Sequence, residues 1–287
     1  MPSGSAMTLA WSTDPHLDHA GPASVAGFCD RLEAAGVEAV LLGGDTATAA
    51  RLELFLGEFA DRIGKPIYFV LGNHDFYGGS IAGIRQRVGA LDHPLLRWLP
   101  KTGPVALGEG VTLVGCGGWG DARLGDFPGS GVVLNDYLLI EELDELFDRR
   151  GFRRSYGAGT ALQERLQRLG DAEASALEPG LTVAAAGGLQ VVVLTHVPPF
   201  AEACWHQGRI SDPDWLPHFT CKAVGDLLAR TAAAYPECRF TVLCGHTHGE
   251  GTAQLAPNLV VHTQGAEYGF PEFRLLTIDS RGVGLGA

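Results

Sequence analysis

The sequence predicts an α/β fold in which parallel strands alternate with helices. Short apolar runs at 38–42 and 66–71 are typical of buried strands, and the segments that precede them place apolar side chains at helical spacing. The loops that join these segments are short. A strand–helix alternation with short loops favours a sheet of parallel strands covered by helices.

The first third of the chain carries this pattern most clearly. Val25, Phe28 and Leu32 recur at the spacing of one helix face. In chain order we expect a strand at 8–12, a helix at 22–36, a strand at 38–42, a helix at 49–63, a strand at 66–71 and a helix at 81–91. Two further apolar runs, at 105–107 and 111–116, predict a hairpin.

The range 119–188 differs in character, and we expect it to be a partly helical insertion or cap that lies over or beside the core. It holds a glycine-rich loop at 125–131, an acidic helical stretch at 137–150 and a polar helix at 160–177. The strand pattern resumes afterwards. We expect a strand at 189–194, a helix at 221–235, a strand at 240–244 and two closing antiparallel strands at 259–264 and 273–278.

The composition narrows the range of functions. The formal net charge of −12 disfavours nucleic acid as a partner, because binding to a polyanion depends on lysine and arginine. None of the six cysteines lies in a Cys-x-x-Cys pair, which disfavours a thiolate zinc site. The N-terminus shows no signal peptide pattern, and the longest apolar stretch, 181–194, is too short to span a bilayer. We therefore expect a cytoplasmic protein with no membrane partner.

Side chains that commonly bind metals follow five of the predicted strands. They are Asp14, His16, Asp45, Asn73, His196, His246 and His248. Because ligand sites in α/β folds are built at the carboxyl ends of strands, we expect these side chains to meet at one edge of the structure. Two carboxylates, one amide oxygen and four imidazoles are too many for one tetrahedral ion and suit two ions that share a bridging ligand.

These residues lie in short motifs that resemble the signature of the calcineurin-like metallophosphoesterases. The motifs are Asp14-x-His16, Gly44-Asp45, Gly72-Asn73-His74-Asp75, His196 and Gly245-His246-x-His248, in that family's order. The resemblance spans most of the chain apart from the range 119–188. It implies a two-sheet sandwich flanked by helices, in an αββα arrangement, and a single domain over residues 1–287.

The resemblance also implies a role for each residue. One metal ion would be held by Asp14, His16, Asp45 and His248, and the other by Asp45, Asn73, His196 and His246, so that Asp45 bridges the two. His74 would face the phosphoryl group of the substrate and handle a proton, steadied by Asp75. The ions would be divalent or trivalent, with manganese, iron and zinc favoured. A hydroxide that bridges them would attack phosphorus in line.

The activity implied is that of a dinuclear metal-dependent phosphoesterase. We expect a small or medium organic phosphate as substrate; a phosphodiester of nucleotide type is favoured, and a monoester is the next choice. Arg123, Trp119 and His206 lie in loops after strand ends and are candidates for substrate contacts. Two alternatives stay open: a metal-dependent nuclease, which the net charge disfavours, and a catalytically inactive scaffold that keeps the fold to bind partners.

Overall fold

Two mixed sheets of six strands each pack face to face, and helices cover their outer faces. The arrangement is seen in a computed structural model, which describes residues 6–148, 159–279 and 282–286. It confirms the fold class that the sequence predicts, an α/β sandwich with helices on both sides.

The first sheet contains the parallel strands of the N-terminal part. Its strands are β1 (Met7–Ser12), β2 (Ala39–Leu42), β3 (Ile67–Phe69), β4 (Leu96–Trp98), β13 (Arg274–Asp279) and β14 (Gly282–Leu285). Their order is β14-β13-β1-β2-β3-β4. Strands β1 to β4 are parallel, whereas β13 and β14 are antiparallel additions. The carboxyl ends of β1, β2 and β3 therefore lie at the same edge of the sheet.

The second sheet is built from later strands. They are β5 (Val105–Gly108), β6 (Val111–Cys116), β7 (Gln190–Thr195), β10 (Arg239–Cys244), β11 (Gly251–Ala256) and β12 (Leu259–Thr263). Their order is β11-β12-β10-β7-β6-β5, and β6, β7, β10 and β12 are parallel. A separate hairpin pairs β8 (Trp205–His206) with β9 (Arg209–Ile210). The predicted hairpin of β5 and β6 is confirmed.

Helices connect most of these strands. In the described residues they are α1 (Pro22–Ala34), α2 (Leu52–Ile63), α3 (Ile81–Gly89), α4 (Leu99–Thr102), α5 (Asp136–Leu139), α6 (Glu141–Asp144), α7 (Ala161–Gly187), α8 (Leu216–Phe219) and α9 (Lys222–Ala234). Local sequence explains several ends. Pro22 begins α1, the Ser80 hydroxyl accepts a hydrogen bond from Gly83 N at the start of α3, and α2 ends at Gly64 with φ 62°.

Apolar side chains from both inner faces fill the space between the sheets. Leu9, Trp11, Leu41 and Leu194 are fully buried there. Ala10 belongs to the opposite face of β1, which packs against helices. Burial of one such large side chain stabilises the fold by about 1.5–3 kcal/mol. This core fixes the position of one sheet relative to the other and thereby the position of the loops at their carboxyl ends.

Helix α7 belongs to the helical layer of the second sheet. It connects the parallel neighbours β6 and β7, and Leu177 and Leu181 lie in one buried cluster with Val193 of β7. The last part of the predicted insertion, 119–188, therefore covers the sheet. The insertion stays a prediction for the rest of the range. Its residues 149–158, which include the end of the predicted acidic stretch at 137–150, lie outside the described residues.

Three details of the sequence prediction were wrong. The closing strands do not pair with each other: β12 lies beside β10 in the second sheet, and β13 lies beside β1 in the first. Helix α7 continues through Pro179 to Gly187, ten residues beyond the predicted end. Strands β4, β8, β9, β11 and β14 were not predicted. Apolar periodicity identifies a strand but not its partner, because side-chain alternation is the same for any neighbour.

Candidate metal centre

Side chains from both sheets meet at the edge where the parallel strands end. The seven predicted ligands follow β1 (Asp14, His16), β2 (Asp45), β3 (Asn73), β7 (His196) and β10 (His246, His248). The ring of His196 joins the two sheets, because its Nδ1 lies 3.0 Å from the carbonyl oxygen of Gly43. The fold thus brings together residues that are up to 234 positions apart in sequence. They meet at one edge of the structure, as expected from their positions after the strand ends.

Five of these seven residues have a left-handed backbone conformation. The φ angles are 50° at Asp14, 40° at His16, 53° at Asp45, 67° at His246 and 55° at His248. Residues other than glycine adopt this region rarely, and each such residue costs on the order of 1–3 kcal/mol. In the described part of the chain, the other such residues are Ala122 and Gln207. Backbone strain is therefore concentrated at the predicted ligands, which is typical of a functional site.

One group of ligand atoms surrounds His16. Its Nε2 lies 3.2 Å from His248 Nε2 and 3.9 Å from Asp45 Oδ2, and His248 Nε2 lies 3.5 Å from Asp14 Oδ1. Ligand atoms of one tetrahedral ion with bonds of about 2.0–2.1 Å are roughly 3.3 Å apart. The separations between these four side chains are therefore close to those around a single ion.

A second group of ligand atoms surrounds His196. Its Nε2 lies 3.1 Å from Asn73 Oδ1, 3.1 Å from His246 Nδ1 and 3.4 Å from Asp45 Oδ1. Asp45 thus takes part in both groups, with Oδ1 toward His196 and Oδ2 toward His16. This is the position that a bridging carboxylate would occupy between two ions.

Neighbouring groups orient several of these side chains. The contact of His196 Nδ1 with Gly43 O leaves Nε2 directed at the second group. His246 Nε2 lies 3.4 Å from the carbonyl oxygen of His218, which leaves Nδ1 free to face His196. Asp14 Oδ2 accepts a hydrogen bond of 3.0 Å from the backbone N–H of His246. Such contacts set the ring orientation and tautomer that a metal ligand requires.

Burial favours the neutral form of three of the imidazoles, which is the form that binds a metal ion. Burial lowers the pKa of His16 to about 3, and it lowers the pKa of His196 and of His246. The ring of His16 is almost fully buried, and its Nδ1 has no hydrogen-bond partner among the described residues. Each of these rings therefore offers a nitrogen lone pair and not a positive charge.

The carboxylates in the centre need a source of positive charge. Burial raises the pKa of Asp45 well above its ordinary value, and the nearby carboxylates of Asp14 and Asp75 raise it further. Burial also acts against ionisation of Asp14, whereas contacts with the neighbouring histidine rings, including a hydrogen bond with His248, favour its ionised form and lower its pKa. A buried carboxylate beside others is costly unless a cation compensates it. The donor set therefore fits metal ions.

Asp75 has a different role from the predicted one, and the prediction that it steadies the His74 side chain was wrong. Its fully buried carboxylate accepts backbone hydrogen bonds from Gly72 (2.8 Å), Asp45 (3.0 Å), Thr46 (2.8 Å) and Ala47 (3.1 Å). Burial raises its pKa to about 7, whereas these donors favour the ionised form. Asp75 thus ties the loop after β2 to the loop after β3, which brings Asp45 beside Asn73.

His74 lies where two cavities meet. One cavity, of about 550 Å³, has predicted ligands in its lining, and the other, of about 650 Å³, extends past Thr48 and Leu139. Both cavities are lined by His74, Tyr77, Asn135 and Tyr268. His74 Nε2 lies 3.9 Å from Asp45 Oδ2, and its ring keeps some exposure to the cleft. Burial lowers the pKa of His74 to about 4.

Two of the three predicted substrate contacts lie away from the cavities at His74. Arg123 donates to Asp121 Oδ2 at 3.0 Å and to Asp171 Oδ2 at 2.8 Å, so its charge is already paired. Trp119 is buried against Phe76, with ring centroids 5.6 Å apart. Both predictions were wrong, because position after a strand end does not fix the direction of a side chain. The third residue, His206, lines the 550 Å³ cavity.

Sequence reasoning missed three residues beside the centre. Asn73 Nδ2 and the Tyr77 hydroxyl both donate to Asp136 Oδ1, at 2.7 and 2.6 Å. The Tyr268 ring stacks on His16, with centroids 4.3 Å apart. No local signal marks Asp136 or Tyr268, because Asp136 lies 63 positions from Asn73 and 59 from Tyr77, and Tyr268 lies more than 200 positions from His16. Tyr77 lies three residues after His74 and could have been noticed from that proximity.

A sequence comparison identifies the family. The model of the calcineurin-like phosphoesterases matches residues 7–250. The chain belongs to the calcineurin-like phosphoesterase family. The matched range includes all seven predicted ligands and confirms the resemblance seen in the motifs. Membership of this family implies a metal-dependent phosphoesterase with a dinuclear metal centre. The groups of histidine and aspartate at the strand ends are close enough together to hold metal ions.

Solved structures share the fold of this calcineurin-like phosphoesterase. A dimetal phosphatase from Danio rerio is 12% identical, with a TM-score of 0.57, and the alignment covers 97% of this chain and 96% of that one. The phosphopantetheinyl hydrolase of Mycobacterium tuberculosis is 16% identical, with a TM-score of 0.55 and coverage of 94% and 96%. At such identities the similarity concerns the fold alone. No curated protein matches the chain in sequence.

None of the helices in the described residues is both long enough and apolar enough to cross a membrane.

Proposed function

We propose that the protein hydrolyses a small or medium organic phosphate at a dinuclear metal centre. The observation that carries the proposal is the convergence of seven ligand-type side chains, five of them with strained backbone, beside a cavity that is lined by four of them and by His74. The proposed ligands are Asp14, His16, Asp45 and His248 for one ion, and Asp45, Asn73, His196 and His246 for the other. A binding scaffold without catalytic function would not need this concentration of strain.

The chain supplies orientation and one proton-handling group. Two metal ions held by these ligands would activate a water molecule for in-line attack and neutralise charge on the phosphoryl oxygens. Asp75 holds the loops of Asp45 and Asn73 together. His74 Nε2 would donate a hydrogen bond or a proton to a substrate oxygen. The negative charge of a bound phosphate favours the protonated ring, which offsets the effect of burial.

We favour a phosphodiester as the substrate. A phosphorus atom bound beside His74 would lie next to both cavities, so each of two ester substituents would have space, whereas a monoester would use one cavity. Arg209 is the only lysine or arginine among the described residues that line either cavity. A long nucleic acid strand needs more positive charge than this, and the net charge of −12 also disfavours a nuclease.

The experiment is a hydrolysis assay with protein that carries two equivalents of Mn²⁺. We expect turnover of bis-p-nitrophenyl phosphate with a higher kcat/KM than p-nitrophenyl phosphate, and little cleavage of single-stranded DNA. Absence of turnover of all three compounds after metal loading would overturn the proposal and favour a scaffold. A higher kcat/KM for the monoester would overturn the preference for diesters.

A further inference from the structure

A row of neighbouring aromatic rings extends from the proposed metal ligands along the wall of the 550 Å³ cavity. The Phe219 ring lies 4.5 Å from the His246 ring between centroids, and the Trp215 ring lies 5.6 Å from the Phe219 ring. We call Phe219 and Trp215 the aromatic arm. The arm begins at a proposed ligand and extends to the cavity mouth, where Trp215 is 46% exposed.

The aromatic arm offers exposed apolar surface on which an apolar group of a ligand could pack. All five tryptophans lie in the described residues, and Trp215 is the exposed one among them. Val133, which is 41% exposed, and Leu134 add apolar surface to the lining of the same cavity. The volume of about 550 Å³ lies within the range of small-molecule sites. The cavity therefore has room beyond the phosphoryl group for a ring system.

A positive charge lies in the lining of the same cavity. Arg209, in β9, has a side chain that is 70% exposed, and its Nη2 lies 3.4 Å from Oδ2 of Asp212, which is itself 60% exposed. An exposed pair at this distance is weak, so the guanidinium is available to a ligand. Guanidinium groups bind carboxylates and phosphates through two parallel hydrogen bonds.

We propose that the aromatic arm is a specificity subsite for one ester substituent of the substrate: a planar aromatic group that stacks on Trp215 and Phe219 and carries a negatively charged group that Arg209 binds. The inference rests on the proposed phosphoesterase function, which would place the phosphoryl group of the substrate at the proposed metal centre. The second cavity, beyond His74, takes the other substituent without this requirement.

Binding of phosphonates to the Mn²⁺-loaded protein tests the subsite without the need for turnover. Calorimetric titration would compare phenylphosphonate with cyclohexylphosphonate, which has a ring of similar size that cannot stack, and with 4-carboxyphenylphosphonate. We expect phenylphosphonate to bind about 10-fold more tightly than the cyclohexyl compound, and the carboxylate to add about 3-fold.

Two variants assign these preferences to residues. Trp215→Ala should remove most of the preference for phenyl over cyclohexyl, and Arg209→Ala should remove the gain from the carboxylate. Matched controls are Val183→Ala and Arg168→Ala, which are exposed positions on α7 outside both cavities. These controls should keep both preferences.

Two outcomes of the phosphonate titrations would overturn the subsite. They are equal affinity for phenyl- and cyclohexylphosphonate, or an equal loss of affinity for both in Trp215→Ala. Hydrolysis of bis-p-nitrophenyl phosphate by the same preparation tests the proposed function separately. Turnover without the aromatic preference would reject the subsite and keep the phosphoesterase. The preference without turnover would support the subsite and reject the phosphoesterase.

Discussion

Asn73 is held in one orientation by Asp136: its Nδ2 donates a hydrogen bond of 2.7 Å to Asp136 Oδ1. A side-chain amide can be placed in two ways, and only its oxygen can bind a metal ion. The bond to Asp136 directs Nδ2 away from the centre and leaves Oδ1 3.1 Å from His196 Nε2. A buried residue outside the family motifs thus decides how a proposed ligand faces the centre.

We expect Asp136→Ala to weaken binding of one of two Mn²⁺ ions by about 10–100-fold, because the amide of Asn73 would lose the acceptor that fixes it. Asp136→Asn keeps an oxygen at the same place and should stay within a few-fold of the parent protein. Calorimetric titration with Mn²⁺ gives both affinities.

The control for this pair is Asp171→Ala, which removes an exposed carboxylate that binds Arg123 away from the cavities. It should leave both Mn²⁺ affinities unchanged. If Asp136→Ala and Asp136→Asn had the same effect, the orienting hydrogen bond would not be the cause.

His74→Ala should keep both metal ions and lower kcat for a phosphodiester by about 10²–10⁴-fold, because the substrate oxygen would lose its proton or hydrogen-bond donor. The measurement is steady-state kinetics together with metal analysis of the same sample. His74 lies near His16 and Asp45 in a group that could itself hold an ion. Loss of metal from the variant would therefore show that His74 is a ligand.

Asp45→Ala should weaken binding of both ions, on the order of 100-fold or more, because its two oxygens face the two ligand groups. Metal analysis after gel filtration should give well under two equivalents per chain. His248→Ala is the matched comparison, since His248 belongs to the first group alone and should affect one ion. Retention of two equivalents by Asp45→Ala would contradict the bridging role.

Gly72→Ala should lower the free energy of unfolding of the metal-free protein by about 1–3 kcal/mol. A Cβ atom at Gly72 would overlap the Asp45 carboxylate and its backbone nitrogen, so the loop after β2 would have to move. The control is Gly57→Ala in α2, where a Cβ meets nothing within 4 Å and should stabilise the helix by about 0.5–1 kcal/mol. Urea denaturation measures both. Equal stability of the two variants would exclude a steric requirement at Gly72.

Removal of metal with a chelator should lower the melting temperature of the parent protein. Without cations, the buried carboxylates of Asp14 and Asp45 are uncompensated and the strained ligand loops lose their restraint. Mn²⁺ at about 1,000 times the dissociation constant of a site should stabilise the fold by about 4 kcal/mol for each ion bound. Thermal unfolding at a series of Mn²⁺ concentrations measures this. A melting temperature independent of Mn²⁺ would contradict a metal centre at these residues.

Most of the elements were predictable from local sequence, and so was the meeting of the seven candidate ligands at one edge of the structure. Apolar runs such as that of β2 identify strands because a strand buried on both faces requires them. The strands end in residues such as Asp45 and Asn73, and parallel neighbours place their ends together. The pairing of β12 and β13 was not predictable, because no local pattern states which sheet a strand joins.

The sequence by itself determined the class of fold, the family and the residues able to bind metal, because these follow from periodicity and from short motifs within single loops. Only the tertiary structure decided what each side chain faces. It directed the Asp75 carboxylate to backbone N–H groups and not to the His74 ring. It also paired Arg123 with Asp121 and Asp171, and it brought Asp136 to Asn73 across 63 positions. The physical reason is that the direction of a side chain depends on backbone angles and on packing partners, which local sequence does not specify.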